Sequence, residues 1–165
     1  MDEYRFLQKL TRARSLDLLG SVRLGRLVFT SQSAPVIRPV NHLVEGDTLI
    51  VRATAGAAIT AAVGRTGATV AYEADSIDEA TQLGWSVIVA GTARLLGDEL
   101  AAARYRLRLR PWVSGSADDV ITITMDTVTG YAMVAGEPAA GPPAAGAPAA
   151  AERTSWASAA GARRG

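Results

Sequence analysis

The sequence predicts a mostly β fold, a small antiparallel barrel of six strands with flanking helices, and three observations carry that prediction. Six stretches rich in Val, Ile, Leu and Thr recur along the first 134 residues, several of them alternating apolar and polar residues. Glu45-Gly46-Asp47 separates two of these stretches and supplies the positive φ that a tight hairpin turn requires. Only two helical segments interrupt the strands, a short one after the third and a longer one between the fifth and sixth, an arrangement suited to a closed or partly closed sheet.

At the N-terminus, residues 2–10 place Phe6, Leu7 and Leu10 at helical spacing, and a second short helix is expected from Thr11 to Leu19, stopped by Gly20 at the position after the cap. Leu24 to Thr30 reads as the first strand, Ser31 to Pro35 as a turn, and Pro35 to Val44 as the second strand. The hairpin turn leads into a third strand that ends at Arg52. Ala57 to Val63 is Ala-rich and ends at Gly64, which predicts two turns of helix. Residues 68–75 alternate as a fourth strand, residues 75–84 are turn-like, and residues 85–96 form a long fifth strand with Val87, Val89, Gly91 and Ala93 on one face. Asp98 is a good N-cap for a helix from Glu99 to Leu109, whose tail carries Arg104, Arg106, Arg108 and Arg110 before Pro111. Those arginines complement the negative pole of the helix. Val120 to Met125 is the sixth strand, resumed at Thr129 to Val134.

Composition narrows the function. Seventeen basic and 16 acidic residues leave a net charge of +1, which lacks the basic face of a nucleic-acid binder. The absence of cysteine excludes disulfides, thiolate catalysis and cysteine-based zinc sites, and a single histidine cannot build a metal centre of the usual type. The charged N-terminus and the lack of an 18-residue apolar window predict a soluble, cytoplasmic chain with no membrane contact. Residues 135–165 are dominated by Ala, Gly and Pro, as in Glu-Pro-Ala-Ala-Gly-Pro-Pro. Such a segment cannot bury enough surface to offset its chain entropy, so one folded domain over 1–134 and a disordered tail are expected.

Few residues carry chemistry. Arg52 and Thr54 stand where the third strand leaves the sheet, with Gly56 and a helix start just beyond, and together they make a plausible anion cradle. His42 has the right chemistry for proton transfer, but alternation sets it opposite to Asn41 and predicts a buried or surface histidine instead. Glu73 and Asp75 share one face of a strand and read as solvated acids rather than a catalytic pair. No Gly-x-Ser-x-Gly elbow and no phosphate loop ending in Gly-Lys-Ser or Gly-Lys-Thr occurs. Trp85 and Trp112 suit a core or an interface, and Arg110, next to Pro111-Trp112, is a secondary ligand contact.

Four stretches taken together resemble the pyridoxamine 5′-phosphate oxidase-like proteins, the flavin-binding split barrels. They are Gly25-Arg26-Leu27-Val28-Phe29, Pro39-Val40-Asn41, Gly84-Trp85-Ser86-Val87 and Leu109-Arg110-Pro111-Trp112, in matching order over roughly residues 10–133. The resemblance implies a six-stranded antiparallel split β-barrel that works as a homodimer, with flavin mononucleotide (FMN) between the two barrels. It further implies that Pro39, Val40 and Asn41 line the ring, that Arg52 meets the phosphate, and that Trp85 and Ser86 reach the site from the fifth strand. Oxidoreductase activity on a small organic substrate is the expected function. A deazaflavin reductase of the same fold and a protein that holds flavin or haem without turnover are the alternatives. The chain departs from the family pattern at Ala53, Ala57 and Ala58, where relatives carry hydroxyls and a lysine. Each hydrogen bond so lost is worth about 0.5–3 kcal/mol, which predicts a weaker hold on the phosphate.

Overall fold

In the computed structural model, residues 4–53, 57–64, 66–110 and 119–136 are described. Residues 137–165 of the expected tail, Thr54, Gly56, Arg65 and Pro111-Trp112 lie outside them, while Ala135, expected to begin that tail, ends the last strand. The elements are β1 (Arg5–Lys9), α1 (Arg12–Ser21), β2 (Leu24–Ser31), β3 (Ala34–Glu45), β4 (Thr48–Ala53), α2 (Ala57–Val63), β5 (Ala68–Asp78), β6 (Leu83–Leu95), α3 (Glu99–Arg108) and β7 (Asp119–Ala135). Six strands close a ring in the order β7-β4-β3-β2-β5-β6, because β6 returns to pair with β7, and every pairing is antiparallel. The expected barrel of six strands is this ring.

The seventh strand, β1, corrects the helix expected over residues 2–10. All of Arg5–Lys9 is exposed, so the spacing of Phe6 and Leu7 reports no buried face. What decides the conformation is the free edge of β7. That 17-residue strand pairs along one side with β6 and along the other first with β4, through Asp119–Ala53 to Thr124–Thr48. Its last residues, Tyr131–Ala135, would otherwise leave backbone groups unpaired, and β1 takes them.

Thr11 caps α1 by accepting from the Arg14 amide at 3.2 Å. The helix continues through Gly20 to Ser21, so that glycine is not the expected stop. The turn between β2 and β3 is tighter than the expected five residues: Gln32 and Ser33 both adopt positive φ, 50° and 65°, as a two-residue hairpin demands. Gly46, at φ 57°, makes the β3–β4 turn as expected. β5 and β6 extend past their expected ends because Ser76, Ile77 and Asp78 pair with Trp85, Gly84 and Leu83, which shrinks the loop to residues 79–82. Asp98 caps α3 through the Leu100 and Ala101 amides, as expected.

The inner faces fill the ring. Leu27, Leu49, Val51, Tyr72, Ala74, Val87, Val89, Ala93, Ile121 and Ile123 are all fully buried, with Leu19 of α1 and Ile59 and Val63 of α2 packed against them. Burial of each large aliphatic side chain contributes about 1.5–3 kcal/mol. A second cluster forms outside the ring, where Ala102 and Leu109 of α3 lie on Ile50 and Val120. No helix among the described residues is long and apolar enough to cross a membrane.

Candidate functional site

The inner face of the ring is filled by the core, and among the described residues the outer face of β2 and β3 borders the cavities. Alternation divides β3: Val36, Val40, His42 and Val44 pack inward, while Pro39 is exposed and Asn41 half-buried on the outer face. On β2, Gly25, Leu27 and Phe29 are buried and Leu24 and Arg26 are exposed. The register places Leu24 opposite Asn41 and Arg26 opposite Pro39, so these four residues form one outward patch.

Among the described residues, several cavities lie over and beside this patch. The largest, about 420 Å³, is lined by Val22, Arg23, Leu24, Gly25, Arg26, Pro39 and Asp75. It shares Pro39 with a cavity of about 50 Å³ formed by Phe29, Arg38, Val40, Ala53, Ala58 and Ile59. It shares Arg23 with one of about 150 Å³ formed by Asn41, His42, Arg108, Leu109 and Arg110. Of the sequence-predicted residues, Pro39 lines the first two of these cavities, Val40 the second, and Asn41 and Arg110 the third.

Arg52 faces outward opposite Asn41. Its Nη1 donates to the Arg106 and Leu109 carbonyl oxygens at 3.0 and 2.7 Å, so it clamps the C-terminal turn of α3. Asn41 adds to this clamp, donating from Nδ2 to the Arg110 carbonyl at 2.6 Å. Glu45 also holds the helix, accepting from the Tyr105 hydroxyl at 2.8 Å and pairing with Arg108. The Tyr105 hydrogen bond first, and the Arg108 guanidinium next, hold the Glu45 carboxyl below the usual carboxylate range.

Trp85 and Ser86 sit elsewhere. They lie on β6, which β2 and β5 separate from β3, and Trp85 packs in part against the core. Ser86 stands opposite Asp75, a residue of the largest cavity. The acid pair expected to be solvated is instead bound to one cation: Arg26 Nη1 reaches Glu73 at 2.9 Å and Asp75 at 3.0 Å. Burial above all pushes the Glu73 carboxyl upward, against the pull of Arg26.

His42 is 1 % exposed, as its position in the alternation implied. Its Nε2 lies 2.8 Å from the Leu19 carbonyl oxygen, which can only accept, so Nε2 carries the proton. Its Nδ1 then accepts from the Tyr72 hydroxyl at 2.6 Å. Burial lowers the His42 pKa and raises that of Tyr72, keeping both neutral. Both ring nitrogens are thus committed to the fold rather than to a substrate. Gly25 permits this arrangement, because a Cβ at that position would fall on the Tyr72 hydroxyl.

Sequence reasoning passed over Gly25 as a packing residue, and over Tyr72 and Arg23, and it gave Arg108 only the part of complementing the helix pole. Tyr72 was findable, since its place between Val70 and Ala74 in an alternating strand sets it inward. Arg23 had no such signal.

The model of the pyridoxamine 5′-phosphate oxidase family matches residues 11–139. A protein of Mycobacterium tuberculosis described as uncharacterized protein Rv0080 is 42% identical over 134 residues, which are 79% of this chain and 88% of the relative. Among solved structures, a pyridoxamine 5′-phosphate oxidase-like protein of Corynebacterium glutamicum is 29% identical, with 77% of this chain and 98% of the other covered and a TM-score of 0.64. The FAD binding protein of Mycobacterium smegmatis is also 29% identical, covers the same shares of 77% and 98%, and superposes with a TM-score of 0.58.

Proposed function

Because this chain belongs to the pyridoxamine 5′-phosphate oxidase family, we propose that it binds a flavin in the outer groove of β2 and β3 and acts as an oxidoreductase on a small organic substrate. The observation that carries this reading is the cavity of about 420 Å³ over Leu24, Arg26 and Pro39, continued at either end by smaller cavities. A planar ring fits against a flat strand surface whose floor is a proline ring and an aliphatic side chain, with arginines at both flanks. The flavin supplies hydride transfer, and the protein supplies orientation and exclusion of water. That division of labour suits a groove in which the histidine is committed inward and the acids are held by Arg26. The FAD-binding relative from Mycobacterium smegmatis supports the choice of a flavin.

A second copy of the chain closes the groove in this reading, bringing its own Trp85 and Ser86 to the ring. The exposed Leu24, Ile37, Ile77 and Ile88 are apolar surface suited to such a dimer. Phosphate contact at Arg52 requires its guanidinium to serve the ligand as well as α3. A deazaflavin in the same groove is the second reading, favoured by Arg23, Arg108 and Arg110 at one flank, which suit a ligand with an acidic extension. Holding haem through histidine is disfavoured, since both nitrogens of the chain's one histidine are bonded.

The test is a fluorescence titration of the full chain with FMN, FAD and deazaflavin, for wild type and Pro39→Asp. Saturable binding is expected, weaker by about tenfold in the variant, whose carboxylate sits in the ring's floor. Equal affinity in the two proteins removes the groove as the site.

A further inference from the structure

We propose that the cavity of about 150 Å³ between Arg23 and the end of α3 is a phosphate-binding pocket, selective for a phosphate or pyrophosphate group. Three guanidinium groups, those of Arg23, Arg108 and Arg110, belong to residues lining this small space together with Asn41. Arg108 is paired with Glu45. Among the described residues, the side chains of Arg23 and Arg110 have no hydrogen-bond or ion-pair partner.

The end of a helix ordinarily repels anions, because its last carbonyl groups carry a partial negative charge. Here that charge is already answered. Arg52 takes the Arg106 and Leu109 carbonyls, and Asn41 takes the Arg110 carbonyl. The cations at the cavity are therefore left to a mobile anion instead of to the helix. Arginine forks hydrogen-bond phosphate oxygens in pairs, and here two arginines reach one cavity from separate places in the chain, one before β2 and one after α3. A volume of about 150 Å³ is several times a water's share of about 30 Å³, enough for a phosphate group with little accompanying water.

The phosphate has two sources of the same chemistry. It belongs either to the ligand of the adjoining groove, reached past Arg23, or to a separate phosphorylated molecule. Only the first source rests on the flavin reading.

The experiment is calorimetric titration of the full chain at low salt with inorganic phosphate and then pyrophosphate, for wild type, Arg23→Gln, Arg110→Gln and Arg14→Gln. One phosphate per chain is expected to bind wild type, with affinity lower by about tenfold in each of the first two variants. Arg14 is exposed on α1 and lines none of the three cavities, so its variant is expected to bind as wild type does. Both tested arginines are exposed, so the variants are expected to fold, with melting curves as the check. Absence of phosphate binding in wild type, or binding in Arg23→Gln or Arg110→Gln as tight as in wild type, overturns the proposal. Repeating the titration on FMN-saturated protein separates the sources: lost phosphate binding assigns the pocket to the flavin's own phosphate, and retained binding assigns it to a second molecule. The Pro39→Asp titration tests the flavin groove, so the two readings fail separately.

Discussion

His42 and Tyr72 tie three elements together beneath the groove: α1 through the Leu19 carbonyl, β3 through the ring itself, and β5 through the tyrosine hydroxyl. The pair also makes stability depend on pH. Burial lowers the folded-state pKa of His42 below its ordinary value near 6.5. Between the two values the unfolded chain binds a proton that the folded one refuses, so stability is fully present above about pH 6.5 and is lost as pH falls below it. Urea unfolding is expected to show this decline, approaching about 1.4 kcal/mol per pH unit, and His42→Gln is expected to flatten it. An unchanged slope in that variant contradicts the assignment. At this scale alternation made much legible: Asn41 outward and His42 inward follow from their neighbouring places in one strand. The use of Arg52 was not legible, because its carbonyl partners lie 54 and 57 residues further on and backbone oxygens leave no mark in a sequence.

Among the elements, α3 governs the flank of the groove. Its own sequence binds it weakly to the sheet, since Leu100 and Leu107 are 66 % and 79 % exposed and few of its side chains are buried. Asp98 fixes its start, and Arg52, Asn41 and Glu45 hold its end. Arg52→Ala removes two charge-assisted hydrogen bonds at once. Amide exchange over Ala102–Leu109 is expected to accelerate by about tenfold or more, since each such bond is worth roughly 1.5–3 kcal/mol, while exchange in β5 and β6 stays unchanged. Uniform acceleration through the barrel, or none in α3, contradicts a local clamp. The helix and its cap were readable because Asp98 and the following alanines are local signals. β1 was not, since a fully exposed edge strand is specified by its partner β7 and shows no periodicity of its own.

The whole molecule explains why the site lies outside. A ring of six strands is narrow, and among the described residues fully buried side chains fill it. α3 covers the Asn41–Glu45 end of β3, and beside it the outward face of β2 and Pro39 of β3 provide a concave surface. The six strands were legible from their alternating apolar residues, whereas their closure through β6 and β7 is a long-range pairing that emerges only in three dimensions. The central claim is that a flavin occupies the outer groove, and amide NMR shifts of the full chain titrated with FMN test it most directly. The account predicts that the largest shifts fall on Leu24, Gly25, Arg26, Val40 and Asn41; shifts confined to other elements, or none at saturating FMN, contradict it.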